Sequence, residues 1–210
     1  YMGVTIVPTL ISYMIIVIVF SIERALVLRK AAGKGNVDNF VLSVRRLLNQ
    51  NKIDEAIEEC DRQEGSVGNV VKEGLTTYKA LAHDTTMNKE QKMVALNKSI
   101  EEATTLEMPM LEKNMMILST LGTVATLVAL LGTVIGMIKA FSALGSGGGT
   151  PDSAALSIGI SEALVNTALG IGTSAVAIIL YNYFTSKIDG LTFKIDEIAM
   201  SIQQSFAEFH

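Results

Sequence analysis

Three apolar stretches, each long enough to cross a membrane as a helix, set the strongest limit on how this chain can fold. They run from about Val4 to Leu28, from Met115 to Leu144 and from Leu156 to Phe184. A spanning helix needs roughly 20 mostly apolar residues, and it satisfies its backbone polar groups internally where water is absent. We therefore predict an all-α membrane protein with three transmembrane helices.

The first stretch occupies the position of a secretory signal, but it has neither a basic leader nor a small-residue cleavage site. We interpret it as a retained span, with Glu23 and Arg24 near its inner end. Because the chain starts with Tyr1 rather than Met, we expect these residues to begin inside a longer chain.

Basic residues predict how the spans are oriented. They are Arg24, Arg29, Lys30 and Lys34 after the first span, Lys113 before the second, and Lys187 and Lys194 after the third. The Gly-rich loop between the second and third spans has none. By the positive-inside rule, we expect the N-terminus and this loop to lie outside, and the middle segment and C-terminus to be cytoplasmic. Lys139 is an exception, close enough to the outer end of its helix to snorkel.

Outside the spans, apolar residues recur at helical spacing, as in Val37, Phe40, Val41, Val44 and Leu48, and in Ile188, Leu191, Ile195, Ile198 and Ile202. We expect the C-terminal face to pack on the protein's own helices rather than on the membrane surface. The second and third spanning helices should continue into the cytoplasm, with Pro109 as the kink before the second.

The expected segments are a first transmembrane helix (1–28), a cytoplasmic helical domain (29–112), a second transmembrane helix (113–144), a periplasmic loop (145–153), a third transmembrane helix (154–184) and a cytoplasmic C-terminal helix (185–210).

Charge and reactive residues argue against several classes of protein. The formal net charge is −4, and no basic cluster contains interleaved aromatic residues, so we expect no nucleic-acid partner. Cys60 is the only cysteine, and neither it nor the distant His83 and His210 form a metal-binding pattern. P-loop, HExxH and GxSxG motifs are missing from the sequence, so we expect no enzyme, no metal and no cofactor.

The second span carries a stripe of small residues at alternating steps of three and four: Ser119, Gly122, Thr126, Ala129, Thr133, Gly136, Ala140 and Ala143. In lipid, small residues let helix backbones approach, so the stripe predicts a packing seam. A hairpin with small faces on both arms has more packing surface than it uses alone, which predicts a homo-oligomer. In a ring, a stripe of hydroxyls would line the axis, although membrane threonines also bond back to their own helix.

The third span carries two adjoining stripes and one acid. The stripes are Ala155, Gly159, Glu162, Asn166, Gly170, Thr173 and Ala177, and Ile160, Ala163, Thr167, Gly170, Ser174 and Ala177. A carboxylate in hydrocarbon costs about 2.5–3.5 kcal/mol, so such acids often mark function. One hypothesis makes Glu162 a titratable or electrostatic group beside an ion path. The other makes it structural, hydrogen-bonded to Asn166 or to Ser161 or Lys139 of a neighbour.

The membrane motifs resemble those of the MotA/TolQ/ExbB proton channel family. They are LLGTVIGMIKAF at residues 130–141 and GISEALVNTALGIGTSAVAI at residues 159–178. The family's cytoplasmic part is similar to IERALVLRK at residues 22–30 and to LLNQNKIDEAIEECDRQEGSVGNVVKEGL at residues 47–75. Three spans with a large insertion between the first two resemble the ExbB and TolQ branch more than the four-span MotA branch.

The resemblance implies a homopentameric ring around a central pore in the inner membrane of a Gram-negative bacterium. It implies an ExbD/TolR-type single-span protein inside the pore, which carries a proton-binding Asp. It also implies a TonB- or TolA-like protein that acts at the outer membrane. The chain has no Asp inside any span, so a partner that supplies an acid is also expected from the residues themselves.

By motif, Thr133 and Thr167 match the family's pore-lining threonines, and Glu162 matches its transmembrane glutamate. The expected proton path is Thr133, Thr167, Glu162, Asn166 and Thr126, and the expected packing residues are Gly122, Ala129, Gly136, Gly159 and Gly170. The family often has APLLGLLGTV where this chain has ATLVALLGTV, so we expect a straighter helix with one additional hydroxyl, that of Thr126.

The expected function is that of an ExbB-like subunit that uses the proton-motive force to energise TonB-dependent transport. Three alternatives stay open from the sequence. They are a TolQ-like subunit for envelope integrity and cell division, a non-conducting scaffold ring, and an ion channel that conducts without a partner.

Overall fold

The computed structural model describes residues 2–145 and 153–209, with side chains for residues 6–142 and 153–209. These residues form the helices α1 (Met2–Ala32), α2 (Val37–Asn49), α3 (Ile53–Gln63), α4 (Gly65–His83), α5 (Lys89–Glu112), α6 (Met115–Gly145) and α7 (Ser153–Phe209). The described part of the chain contains no strand. The predicted periplasmic loop lies almost entirely outside the described residues, as does the side chain of Ala143.

Three of the helical stretches are long and apolar enough to cross a membrane, with mean hydropathies of 2.2, 2.2 and 1.9 over their most apolar windows. They contain α1, α6 and α7. The prediction of an all-α fold is therefore confirmed for the described residues, and three of their helical stretches are candidate membrane spans.

The chain divides into two compact units. The apolar unit contains residues 2–24 and the described part of residues 114–184. The amphipathic unit contains residues 25–113 and 185–209. The single helix α7 contributes to both, because it runs without a break for 57 residues.

The amphipathic unit has a core built from five helices. Its buried members are Phe40, Val41, Val44 and Leu48 of α2, Ala56 and Cys60 of α3, Val67, Val70, Val71, Leu75, Tyr78 and Leu81 of α4, Leu96, Ile100 and Ala103 of α5, and Ile195, Ile198, Ile202 and Phe206 of α7. The rings of Tyr78 and Phe206 meet edge to face, with centroids 4.9 Å apart. The prediction that the C-terminal apolar face packs on the protein's own helices is confirmed.

Ion pairs join α2 to α7 at the rim of this core. The Arg45 Nη2 atom lies 3.2 Å from Glu197 Oε1, and the Lys194 Nζ atom lies 2.8 Å from Asp38 Oδ1. These side chains are partly exposed, so solvent screens both pairs and each contributes little to stability. Burial of the apolar face is therefore the main force that holds α7 to this unit.

Cys60 is part of the same core. Burial raises the pKa of its thiol from 9.0 to about 12, and the nearby carboxylates of Asp61 and Glu59 add to the effect. A thiol in this state is protonated and unreactive at neutral pH, so Cys60 acts as a small core residue.

A break separates the helix α5 from the second span. Asn88 caps α5 reciprocally with Gln91, and the helix continues through Pro109 to Glu112. The break comes at Asn114, whose φ is 63°. Asn adopts this left-handed conformation more readily than most residues. The kink at Pro109 stays a prediction, and the helical conformation is interrupted at Lys113 and Asn114, between α5 and α6.

Two turns of the amphipathic unit interlock through glycines. The Lys34 N–H donates to the Gln63 carbonyl at 2.6 Å, and the Lys34 ammonium pairs with Glu64. Gly33 and Gly65 both have positive φ, +81° and +74°. Their backbones approach so closely that the segment after α1 is fixed against the turn between α3 and α4.

We predict that Gly65→Ala destabilises the amphipathic unit by about 2–4 kcal/mol, from left-handed strain and overpacking together. A Cβ at Gly65 would lie 2.5 Å from the Ala31 carbonyl oxygen and 2.8 Å from the Gly33 nitrogen. Gly35→Ala is the control, because its φ is also positive, +95°, but no atom lies within 4 Å of its Cβ position. Thermal unfolding followed by circular dichroism should show the larger shift for Gly65→Ala, and equal shifts would refute the interlock.

Candidate functional site

The helices α6 and α7 pack against each other through small residues, here called the small-residue seam. The residues that meet across it are Gly122 with Ala177, Ala129 with Gly170, Gly132 with Asn166, Gly136 with Ala163, and Ala140 with Gly159. Residue numbers rise along α6 as they fall along α7, so the two helices are antiparallel. All five residues expected to serve packing, Gly122, Ala129, Gly136, Gly159 and Gly170, lie in this seam.

The closest approach is at Gly170. A Cβ at this position would overlap the Cβ of Ala129 and lie 2.9 Å from the Ala125 carbonyl oxygen. Farther along the seam, the Ser174 hydroxyl donates a hydrogen bond to the Gly122 carbonyl. The helices are thus held by backbone contact and by one bond from a side chain to the backbone of the other helix.

The hydroxyl members of the predicted α6 stripe do not share the seam. Ser119 is exposed, and Thr126 and Thr133 are only partly buried, whereas Ala129 is fully buried. A repeat of three and four averages 3.5 residues, and neighbouring members of such a stripe differ by tens of degrees around a helix of 3.6 residues per turn. The glycine and alanine members face α7, and the hydroxyl members lie beside the contact.

One side of the hairpin contacts α1. Ile6 and Leu10 of α1 form a cluster with Ala125 and Ala129 of α6, and a Cβ at Gly132 would lie 3.0 Å from the Ile6 side chain. Partly buried residues that pack against this cluster are Val128, Ile135 and Leu169. We call the side marked by Val128, Ile135 and Leu169 the α1 flank.

The three threonines of the expected path lie on the other side of the seam. Thr126, Thr133 and Thr167 each come two positions before a residue of the α1 flank, which places them about 200° around their helices from it. We call this side the hydroxyl flank. The Thr133 hydroxyl donates to the Leu130 carbonyl at 2.6 Å, and the Thr167 hydroxyl donates to the Ala163 carbonyl at 3.2 Å. Their oxygens keep lone pairs that can accept hydrogen bonds from water or a proton carrier.

Glu162 belongs to the α1 flank, not to the hydroxyl flank. It lies seven residues before Leu169, two helical turns away on the same side. Lys139 lies four residues after Ile135 and shares that flank. Both charged side chains are exposed in the apolar unit.

Asn166 is buried in the seam, with 2% of its surface exposed. Its amide packs over Gly132, the Nδ2 atom lying 2.9 Å from where a Cβ would be. The Oδ1 atom is buried and has no hydrogen-bond partner among the described residues. The Oδ1 atom can only accept, so it cannot bond to an ionised Glu162 carboxylate, and the hypothesis that Asn166 donates to Glu162 stays a prediction.

A polar cluster at the boundary of the apolar unit was not predicted. Arg24 is 1% exposed, and its guanidinium donates to both carboxylate oxygens of Glu23, at 2.9 and 2.7 Å. Asn114 also donates to Glu23, at 3.1 Å. The carboxylate therefore lies near the N-terminus of α6, where the helix dipole favours negative charge. Adjacent Glu and Arg at the end of a span hinted at a pair, but only the fold brings Asn114 to it.

The described residues contain no group of three or more His, Cys, Asp or Glu side chains that could hold a metal ion. The chemistry that this site offers is hydrogen bonding along the hydroxyl flank and charge on the α1 flank. Both features suit movement of a proton or a small ion rather than bond making.

We predict that Gly170→Ala separates α6 and α7 and lowers stability by about 1–3 kcal/mol, because the new methyl overlaps Ala129. Gly172→Ala is the matched control on the same helix, since nothing lies within 4 Å of its Cβ position. Adding Ala129→Gly to Gly170→Ala should recover part of the loss. Thermal denaturation in detergent gives the melting temperature of all three variants. A melting temperature of Gly170→Ala equal to that of the wild type would contradict close packing at the seam.

Comparison with known proteins identifies several relatives and a family model that matches this chain over the seam. The model of the MotA/TolQ/ExbB proton channel family matches residues 63–197. The chain is 33% identical to "Putative biopolymer transport protein ExbB-like 3" of Synechocystis sp. over 113 aligned residues. The aligned residues make up 53% of this chain and 54% of that protein. It is 32% identical over 113 residues to "Biopolymer transport protein ExbB" of Xanthomonas campestris pv. campestris, covering 53% and 44%.

A third relative is the "Tol-Pal system protein TolQ" of Pseudomonas aeruginosa, 28% identical over 131 residues, which covers 61% of this chain and 55% of that protein. The chain spans about half the length of the curated relatives it matches. Because the family model covers most of the chain, including the whole small-residue seam, the protein belongs to the MotA/TolQ/ExbB proton channel family, as an ExbB/TolQ-like subunit.

Proposed function

We propose that this chain forms a proton-conducting ring that energises a TonB-type transport system, in the manner suggested by its ExbB relatives. The observation that carries this proposal is the hydroxyl flank. Thr126, Thr133 and Thr167 come from two helices and share one side of the hairpin, turned away from α1. Hydroxyls are polar enough to wet a pore and too weakly charged to trap an ion.

The proposed assembly is a pentamer with the hydroxyl flank of each copy directed to the axis and α1 on the outside. Two features of the apolar unit support this arrangement. The α1 face carries many exposed aliphatic side chains that suit lipid, among them Ile11, Ile15 and Val19. A shallow cavity of about 680 Å³ extends along α6 from Thr133 to Ser142, a surface that a neighbouring copy could cover.

A partner must supply the proton-binding group. The hydroxyl flank has no acid among its described residues, since Glu162 lies on the α1 flank. We therefore propose an ExbD/TolR-type single-span partner with an acidic residue inside the ring, and a TonB- or TolA-like protein that receives the motion. Glu162 and Asn166 then act beside the path, as an electrostatic group and as a polar group within the seam.

The proposed location is the bacterial inner membrane, with the N-terminus periplasmic and the amphipathic unit and C-terminus cytoplasmic. Clustered basic residues after the first span and after the third support this orientation. One proton that crosses 100 mV releases about 2.3 kcal/mol, so a few protons suffice for a conformational cycle of several kcal/mol.

A TolQ-like role in envelope integrity is the second candidate, because the match to the Pseudomonas aeruginosa TolQ protein extends over more of this chain than the ExbB matches described above. Both roles use the same proton path. They differ in the protein that receives the motion.

We predict that Thr133→Val and Thr167→Val each reduce proton-driven work at least tenfold while the ring still assembles, because Val keeps the shape of Thr and removes its hydroxyl. Thr120→Val is the control. Thr120 is exposed and lies two residues before Gly122 of the seam, so it faces away from α7. Proton-driven work is measured as uptake of a TonB-dependent substrate through the outer membrane. Assembly is measured as the native mass of the complex.

Loss of the ring in Thr133→Val and Thr167→Val would show that these residues serve packing. Full activity in both variants would exclude the hydroxyl flank as the proton path.

A further inference from the structure

We propose that Lys139 is the counter-charge of Glu162, and that the two side chains of one chain form an ion pair on the α1 flank. Lys139 would then be a positioning residue that holds the Glu162 carboxylate away from the hydroxyl flank. The inference stands on the geometry of the hairpin and does not require that the ring conduct protons.

The two residues lie at nearly the same depth. Gly136 meets Ala163 and Ala140 meets Gly159 across the antiparallel seam, so Lys139 is level with residue 160. Glu162 is two residues beyond that level. At a rise of 1.5 Å per residue, the offset along the helix axis is about 3 Å.

The two residues also lie on the same side of the seam. Lys139 follows Ile135 by four residues and Glu162 precedes Leu169 by seven, and both Ile135 and Leu169 pack toward α1. Because the spacings of four and seven residues each return to the same helix face, both charges project from the α1 flank.

The helices are also in close contact at the level where the pair must form. A Cβ at Gly136 would be 3.1 Å from the Ala163 Cβ, and a Cβ at Gly159 would be 2.9 Å from the Ala140 Cβ. Small residues on the seam therefore bring the flanking positions near each other. The four-carbon stem of Lys139 gives its ammonium the reach to meet the Glu162 carboxylate.

Charge balance points to the same pair. The described part of the apolar unit contains four charged side chains, and Glu23 and Arg24 already pair with each other at 2.7 Å. Lys139 and Glu162 are the other two, one of each sign, and both are exposed. The described side chains do not touch each other, so the proposed pair forms when the flexible Lys139 side chain turns toward Glu162 in the membrane. In hydrocarbon an unpaired charge is costly, so each is the partner that the other needs.

A disulfide test measures whether the two positions meet. In full-length protein in its membrane, with Cys60→Ala to remove the native thiol, Lys139→Cys with Glu162→Cys should form an intramolecular disulfide under mild oxidation. Lys139→Cys with Ile160→Cys is the matched control, because Ile160 is level with Lys139 but about 200° around α7 from Glu162.

We expect at least tenfold more intramolecular disulfide in the Glu162 variant than in the control. Equal yields, no disulfide, or dimers linked between chains would overturn the proposal.

A second readout tests the charge itself. Dicyclohexylcarbodiimide labels protonated carboxyl groups in membranes, and a Glu162→Gln variant identifies the label on Glu162. Lys139→Met should increase labelling of Glu162 several-fold, and Lys139→Arg should leave it at the wild-type level, because only the cation matters. Unchanged labelling in Lys139→Met, or an equal rise in both variants, would overturn the pair. Neither readout depends on proton-driven work, so failure here is distinct from failure of the proposed function.

Discussion

The contact between the backbones of α6 and α7 is the constraint on which the rest of the site depends. Gly170 lies directly over Ala129, and no larger side chain fits at either place without moving a helix. In lipid no hydrophobic force drives two helices together, so close packing and the bond from Ser174 to the Gly122 carbonyl must do it. This contact fixes both the register and the rotation of the two helices.

Fixed rotation divides the polar side chains of the hairpin into two sets. Thr126, Thr133 and Thr167 lie on one side of the seam, and Glu162 and Lys139 lie on the other, toward α1. Hydroxyls alone give a path of hydrogen bonds without a fixed charge. In our account, the proton-binding acid therefore comes from a partner, and the charges of this chain serve its own hairpin.

Much of the fold could be predicted from the sequence, because span length and small-residue composition are local properties. The rotation of each helix about its axis was harder to predict than its length. A spacing of three and four residues includes both the glycines and the threonines, so it does not decide which of them face the other helix. Glu162 and Asn166 share one stripe by spacing, yet Asn166 is buried and Glu162 is exposed. The bond from Asn114 to Glu23 joins residues 91 positions apart, so no local pattern encodes it.

Proton flux into liposomes tests the central claim most directly. The purified protein is reconstituted alone and with a single-span protein of the proposed ExbD/TolR type, and flux is followed with an internal pH dye under an imposed voltage. Our account predicts flux only when the partner is present, because the hydroxyl flank lacks an acid of its own. Equal flux through the ring alone would contradict it, and so would no flux with the partner in place.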